Sequence, residues 1–156
     1  MKKKKVLRYL YNDLGFPIIL INAPMKQIFG EWVLDINLNS LQKEVLNALV
    51  HKPFFLTGKE LRFIRKYFEM TTTSFGKLLG VTHPAVLKWE NEQAKLNPTT
   101  ENYLRLYVLD SLHAKDKEFR NLFREISIEN LVNQRKDKTH DHPIEIDAND
   151  QLIAHA

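Results

Sequence analysis

The 156-residue chain has no cysteine. That absence excludes disulfide frameworks, cysteine zinc sites, thiol nucleophiles and thiol redox chemistry, and it fits a cytoplasmic setting. No apolar run approaches the roughly 18 residues that would read as a membrane span, so no membrane partner is expected. The stretch VLRYLYNDLGFPIILINAP, which follows four lysines, is too interrupted by polar residues for a secretory signal. Lys and Arg are missing from residues 139–156, which hold 4 acidic residues, whereas residues 1–110 carry 16 Lys/Arg against 10 Asp/Glu. A basic body with an acidic end suggests an anionic partner for the body, with a merely solvated basic face as the alternative.

With 44% hydrophobic and 27% charged residues, the chain can bury a core as one compact domain or two small ones. Lys2–Lys5 read as a mobile basic arm able to touch phosphate, or as a solubilising or cloning remnant. Residues 16–36, FPIILINAPMKQIFGEWVLDI, cluster β-branched and aromatic residues between punctuation at Asn22-Ala23-Pro24 and Gly30-Glu31, which predicts about three short antiparallel strands. In NSLQKEVLNALVHKP the residues Leu41, Val45, Leu46, Leu49 and Val50 fall at helical spacing, with Asn39 or Ser40 as cap and Pro53 as terminator.

From Thr57 the pattern becomes a succession of capped short helices. TGKE is a capping box, with Leu61, Ile64, Arg65 and Phe68 continuing it. Thr71 caps TTSFGKLLG, with Phe75, Leu78 and Leu79 inward and Gly80 as the left-handed terminator. Thr82 caps HPAVLKWENE, with Pro84 in the first turn, where a missing N–H costs nothing. Thr99 or Thr100 starts a longer helix through Leu104, Tyr107, Val108 and Leu112. Residues 115–134 add one or two further helices, and PIEID near the end is a short strand or a docking peptide.

Residues 57–110 together meet the demands of a helix-turn-helix: a small residue at the crossing (Gly76), a glycine in the turn (Gly80), a β-branched filler (Val81), and Val86 and Trp89 as inward anchors. LRFIRKYFEMTTTSFGKLLGVTHPAVLKWENEQAKLNP resembles the XRE (Cro/phage-repressor) family across nearly its whole domain. The pattern is met by Leu61, Ile64, Arg65, Thr71, Leu79, Gly80, Val81, Thr82, Val86, Trp89, Glu90 and Asn91. Departures are Gly76, where the family usually has Ala, and Glu92, where many members have Gly. The resemblance implies a structural ion pair between Arg65 and Glu90, and it puts His83, Pro84 and Lys88 at base-facing positions in the major groove. It puts Thr72, Thr82, Lys95 and Asn97 at phosphate. The bland alternative is that His83 and Lys88 are only solvated.

The first part of the chain is similar in order and spacing to MqsA/YgiT-type antitoxins, in which cysteine pairs bind zinc. Here Ile28, Phe29 and Gly30 stand where a pair is expected, so an apolar minicore of Phe16, Ile19, Phe29 and Trp32 would replace the metal. No metal or other cofactor is expected. His140 and His142, with Asp141, are the only residues tempting for an enzyme, and they lack a framework to orient them.

The expected fold is therefore mainly α with a small N-terminal antiparallel β meander (α+β), built on a lambda-repressor-like helix-turn-helix. The expected organisation is a β meander plus helix over 1–53 as a partner-binding module, the helix-turn-helix domain over 54–112, a helical extension over 113–138 and an acidic flexible tail over 139–156. No GxSxG motif, phosphate loop or carboxylate pair on a defined scaffold is present, so no enzyme is expected. The resemblance implies a transcriptional repressor or autoregulator of MqsA/YgiT or HigA antitoxin type, binding an inverted-repeat operator in double-stranded DNA as a homodimer, with a cognate toxin protein as further partner. A protein-interaction adaptor or toxin-neutralising module using the motif as scaffold is the alternative. Tyr103, Leu106, Tyr107, Leu112, Phe119 and Phe123 are dimer-interface candidates, with core packing as the competing role. Deleting residues 139–156 is expected to preserve folding.

Overall fold

The structure, a computed structural model, describes residues 1–112, 121 and 143–148. The chain divides into two compact units, Met1–Val45 with Pro143–Ala156, and Leu46–His142. The division falls inside the first helix rather than at Pro53. No helix among the described residues is long and apolar enough to cross a membrane.

The first unit is a four-stranded mixed sheet of β1 (Lys3–Tyr11), β2 (Ile18–Ile28), β3 (Glu31–Leu34) and β4 (Ile144–Asp147). β2 is central. β1 runs antiparallel along it from Lys3↔Lys26 to Tyr11↔Ile18. The other edge of β2 is shared: β4 pairs in parallel over Ile18–Ile21 and β3 antiparallel over Met25–Ile28. Asn22-Ala23-Pro24 therefore lies inside β2, where that edge changes partner, and it does not end a strand. Pro24 is tolerated because its carbonyl, and hence its nitrogen, faces this edge: Asp35 N–H donates to Pro24 O at 2.9 Å, and the ladder to β1 loses no donor. Asn22 adopts φ 54°, and buried residues shift phase across it, from Ile18 and Leu20 to Ala23 and Met25.

These strands overturn the mainly-α expectation with a small meander, and the described residues do not show the lambda-repressor fold. The protein is α+β, with five helices beside the mixed sheet among the described residues. Two strands were hidden. Lys3–Lys5, read as a mobile arm, belong to β1 because VLRYLY continues them with residues that favour a pleated surface, and Lys4 Nζ lies 4.3 Å over the Trp32 ring. PIEID forms β4, whose Ile146 is buried along with the following Ala148, while Glu145 pairs with Arg8.

The apolar minicore is also corrected. Phe29 is fully exposed, because Phe29-Gly30, at φ 49° and 83°, is the two-residue turn between β2 and β3. Positive φ at both positions is the hairpin geometry that suits strand twist. Trp32 is exposed and Ile19 half-buried; Phe16 is buried with Tyr11, Ile18, Leu20, Ala23 and Met25. Burial holds the Tyr11 phenol above its ordinary pKa, with Asp13 and Tyr9 adding to the shift.

α1 (Leu38–His51) contributes Leu41 and Val45 to the first unit and Leu46, Leu49 and Val50 to the second, all buried. Its cap is Asn37, whose Oδ1 accepts from Ser40 N–H at 3.1 Å. The second unit adds α2 (Gly58–Tyr67), α3 (Thr72–Leu79), α4 (His83–Glu90) and α5 (Pro98–Leu112). α5 starts earlier than Thr99, because Asn97 Oδ1 accepts from Thr100 N–H and Pro98 fills the first helical position.

Two polar clusters inside this unit were not anticipated. The Arg105 guanidinium, 1% exposed, donates to the carbonyls of Leu49, Val50, Lys52 and Phe54 and pairs with Glu101 at 3.7 Å. It thereby satisfies carbonyls that the end of α1 leaves without helical partners. Glu101 also accepts from Leu56 N–H. Buried Lys52 donates to both oxygens of Glu60, at 2.7 and 2.9 Å. Glu60 thus serves the capping box with Thr57 and an ion pair at once.

Candidate functional site

The segment joining α3 to α4 is Gly80-Val81-Thr82. Thr71 caps α3 by accepting from Ser74 N–H at 3.1 Å. Gly80, at φ 72° and ψ 28°, ends it in the left-handed conformation, and its N–H bonds back to the carbonyls of Gly76 and Lys77. Thr82 has the extended backbone of an N-cap, yet its side chain makes no capping hydrogen bond. The hydroxyl is therefore not spent on the helix start, and the residue is exposed.

Gly76 is required here. A Cβ built on it would lie 2.7 Å from the Val81 carbonyl oxygen and 3.3 Å from the Thr82 carbonyl carbon, so a side chain there would have to push backbone aside. The departure from alanine goes with close backbone contact between α3 and the turn. A second glycine acts the same way at the far end of α4. A Cβ on Gly58 would overlap the Glu90 carbonyl oxygen and lie 2.6 Å from that of Trp89.

The structure brings Arg65 and Glu90 together. Arg65 Nε donates to Glu90 Oε2 at 3.0 Å and its terminal nitrogen to Oε1 at 2.9 Å, a two-point grip on a carboxylate that is 1% exposed. Arg62 Nε adds a third donor at 3.2 Å, and Arg65 also donates to the Met70 carbonyl at 3.0 Å. Glu92, the other departure, holds φ 58°. Its carboxylate accepts from Gly58 N–H at 3.0 Å, a contact that a glycine at this position could not make.

With α4 pinned from behind by Val86, which is fully buried, and by Glu90, its other side faces out. His83, Pro84, Leu87 and Lys88 are exposed, and Ala85 is half-buried. Thr72, at the first position of α3, lies against His83 at the first position of α4: Thr72 Oγ1 and His83 Nδ1 are 2.6 Å apart. The pair fixes the ring's orientation and couples its outer nitrogen to the hydroxyl. If the threonine donates, Nε2 carries the proton and is a donor; if Nδ1–H donates, Nε2 is an acceptor.

The remaining expected residues are dispersed. Lys95 and Asn97 are exposed in the segment between α4 and α5, with the Asn97 oxygen occupied in capping α5. Trp89 is half-buried, so it is less deeply seated than a core anchor. Among the interface candidates, Tyr103 is 49% exposed and Leu106 and Leu112 are half-buried. Tyr107 packs edge-on against Phe68, with ring centroids 5.4 Å apart. Phe119, Phe123, His140 and His142 lie outside the described residues, as do residues 113–120, 122–142 and 149–156 of the expected extension and tail.

Sequence reasoning missed the Thr72–His83 pair, for which the only signal was that each is the first residue of its helix. No family model, no curated protein and no solved structure matches this chain.

Proposed function

We propose that the outer face of α3 and α4 reads duplex DNA, and that the protein is a sequence-specific transcriptional regulator. The observation that carries this reading is the division of α4 into a pinned inner side and an outer side presenting His83, Pro84, Leu87 and Lys88, with Thr72 beside His83. A helix inserted into the major groove needs such an arrangement, because hydrogen-bond and methyl contacts to base edges discriminate only if their donors are held in register. In this reading Lys88 donates to guanine O6 or N7, Pro84 packs on a thymine methyl, and His83 reads whichever partner its tautomer allows. Thr72, Thr82, Lys95 and Asn97 serve phosphate. Two copies on an inverted repeat accompany the reading, since one such helix covers only a half-site. Exposed Tyr103 and half-buried Leu106 on α5 are then the interface residues.

Selection from a library of random-sequence duplexes, followed by titration at several salt concentrations, tests the proposal. A recovered inverted repeat bound with a steep salt dependence is the expected result. Absence of salt-dependent binding to any duplex would reject it.

A further inference from the structure

We propose that the second unit contains a binding site for an uncharged planar aromatic molecule of one or two fused rings, in a pocket beside the C-terminal end of α4. The pocket has a volume of about 450 Å³. That lies toward the low end of the range of roughly 300–1,000 Å³ typical of small-molecule sites. Its apolar wall includes Phe55, Leu61, Trp89, Leu96 and Pro98. Of these, Phe55, Trp89 and Pro98 are only half-buried, so they retain apolar surface that a ligand would cover. Two aromatic rings in one wall favour a flat guest, which stacks on a ring face or meets its edge.

The charges lining the pocket argue against an ionic guest. Lys95 and Glu92 are of opposite sign, and the third charged residue, Glu101, is offset by Arg105 at 3.7 Å. The pocket therefore offers neither a net cation for a carboxylate nor a net anion for an amine. A charged guest would lose hydration without a counter-charge to replace it. The assignment does not depend on DNA binding and is tested without DNA.

The test is a ¹H–¹⁵N spectrum of the full-length protein, in which the only two tryptophans, Trp32 and Trp89, give separate indole N–H signals, assigned with Trp32→Phe. Indole is the probe, with benzoate and benzylamine as anionic and cationic counterparts. The expected result is a saturable shift of the Trp89 signal, in the millimolar range or tighter for a ligand of about ten heavy atoms. The Trp32 signal stays unmoved, and both charged probes bind at least about tenfold more weakly. Ala94→Phe, at an exposed position that lines the pocket, should weaken indole at least about tenfold while leaving the Trp32 signal in place. Equal movement of both tryptophans, a non-saturating response, or indole binding unaffected by Ala94→Phe overturns the assignment. So does a Trp89 signal that shifts with protein concentration alone, which would give the pocket to a second copy of the chain.

Discussion

At the scale of single residues, two glycines and one glutamate set the frame of α4. Helix propensity alone would make Gly76→Ala stabilising by about 1 kcal/mol. The 2.7 Å approach to the Val81 carbonyl reverses that sign. Forcing a methyl group into a filled contact typically costs about 1–3 kcal/mol, so Gly76→Ala is expected to lower stability in denaturant titrations. An unchanged or raised midpoint would show that α3 and the turn can separate freely. Glu90→Gln removes the charge that Arg65 and Arg62 surround, and it is expected to cost about 1.5–3 kcal/mol, the range for hydrogen bonds to a charged group, since the carboxylate is buried while both arginines keep solvent contact. Equilibrium unfolding checks this, and a loss below about 1 kcal/mol would mean that the arginines find other acceptors.

The sequence indicated that Gly76 stands at a crossing, since a small residue there recurs with Gly80 and Val81 at the right offsets. It could not indicate that alanine is costly there, because that depends on a backbone distance of tenths of an ångström. The Arg65–Glu90 pair was legible only through the family resemblance, because residues 25 apart in sequence give no local signal. Glu101 and Arg105 sit four apart on α5, ordinary spacing for a solvated pair, and only the folded unit shows both buried.

At the scale of elements, the capped helices α2 and α3 were legible, because the Thr57 capping box, the Thr71 cap and Gly80 are local chemistry that needs no tertiary partner. The strands were less so. β1 begins with three lysines, which suit an edge strand and also suit a solvated arm, and nothing local separates the two. β4 pairs in parallel with a strand more than a hundred residues earlier in sequence, beyond the reach of any turn or periodicity signal.

The proposed reader makes its own prediction at this scale. Lys88→Ala is expected to reduce affinity for the selected duplex by about 1–3 kcal/mol and to relax its base preference, measured by fluorescence anisotropy against single-base variants. Thr72→Val is expected to change which bases are preferred opposite His83, because it removes the hydroxyl that fixes the ring. If Lys88→Ala leaves sequence preference intact, the residue does not read bases.

At the scale of the whole molecule, the chain passes from the first unit to the second within α1 and returns to the first at Pro143. The strand β4 changes the expectation for truncation. Removing residues 143–156 takes away the pairing of Ile144–Asp147 with β2 and the buried Ile146. A loss of at least about 1.5–3 kcal/mol is expected from the isoleucine alone. Each unit holds one tryptophan, Trp32 in the first and Trp89 in the second, so single-tryptophan variants report the two units separately. The Trp32-reported midpoint should fall on truncation, and by more than the Trp89-reported midpoint. Equal shifts would mean that the units unfold as one cooperative body.

The frame of α4 is made almost entirely from its inner side: backbone packed on Gly76 and Gly58, and a buried carboxylate held by arginines. None of these contacts uses the side chains of Pro84, Leu87 or Lys88. Those positions form a replaceable cassette, in which the outward residues can be exchanged without redesigning what supports them. A set of variants randomised at residues 84, 87 and 88 alone should keep the parent fold while scattering in whatever the surface recognises.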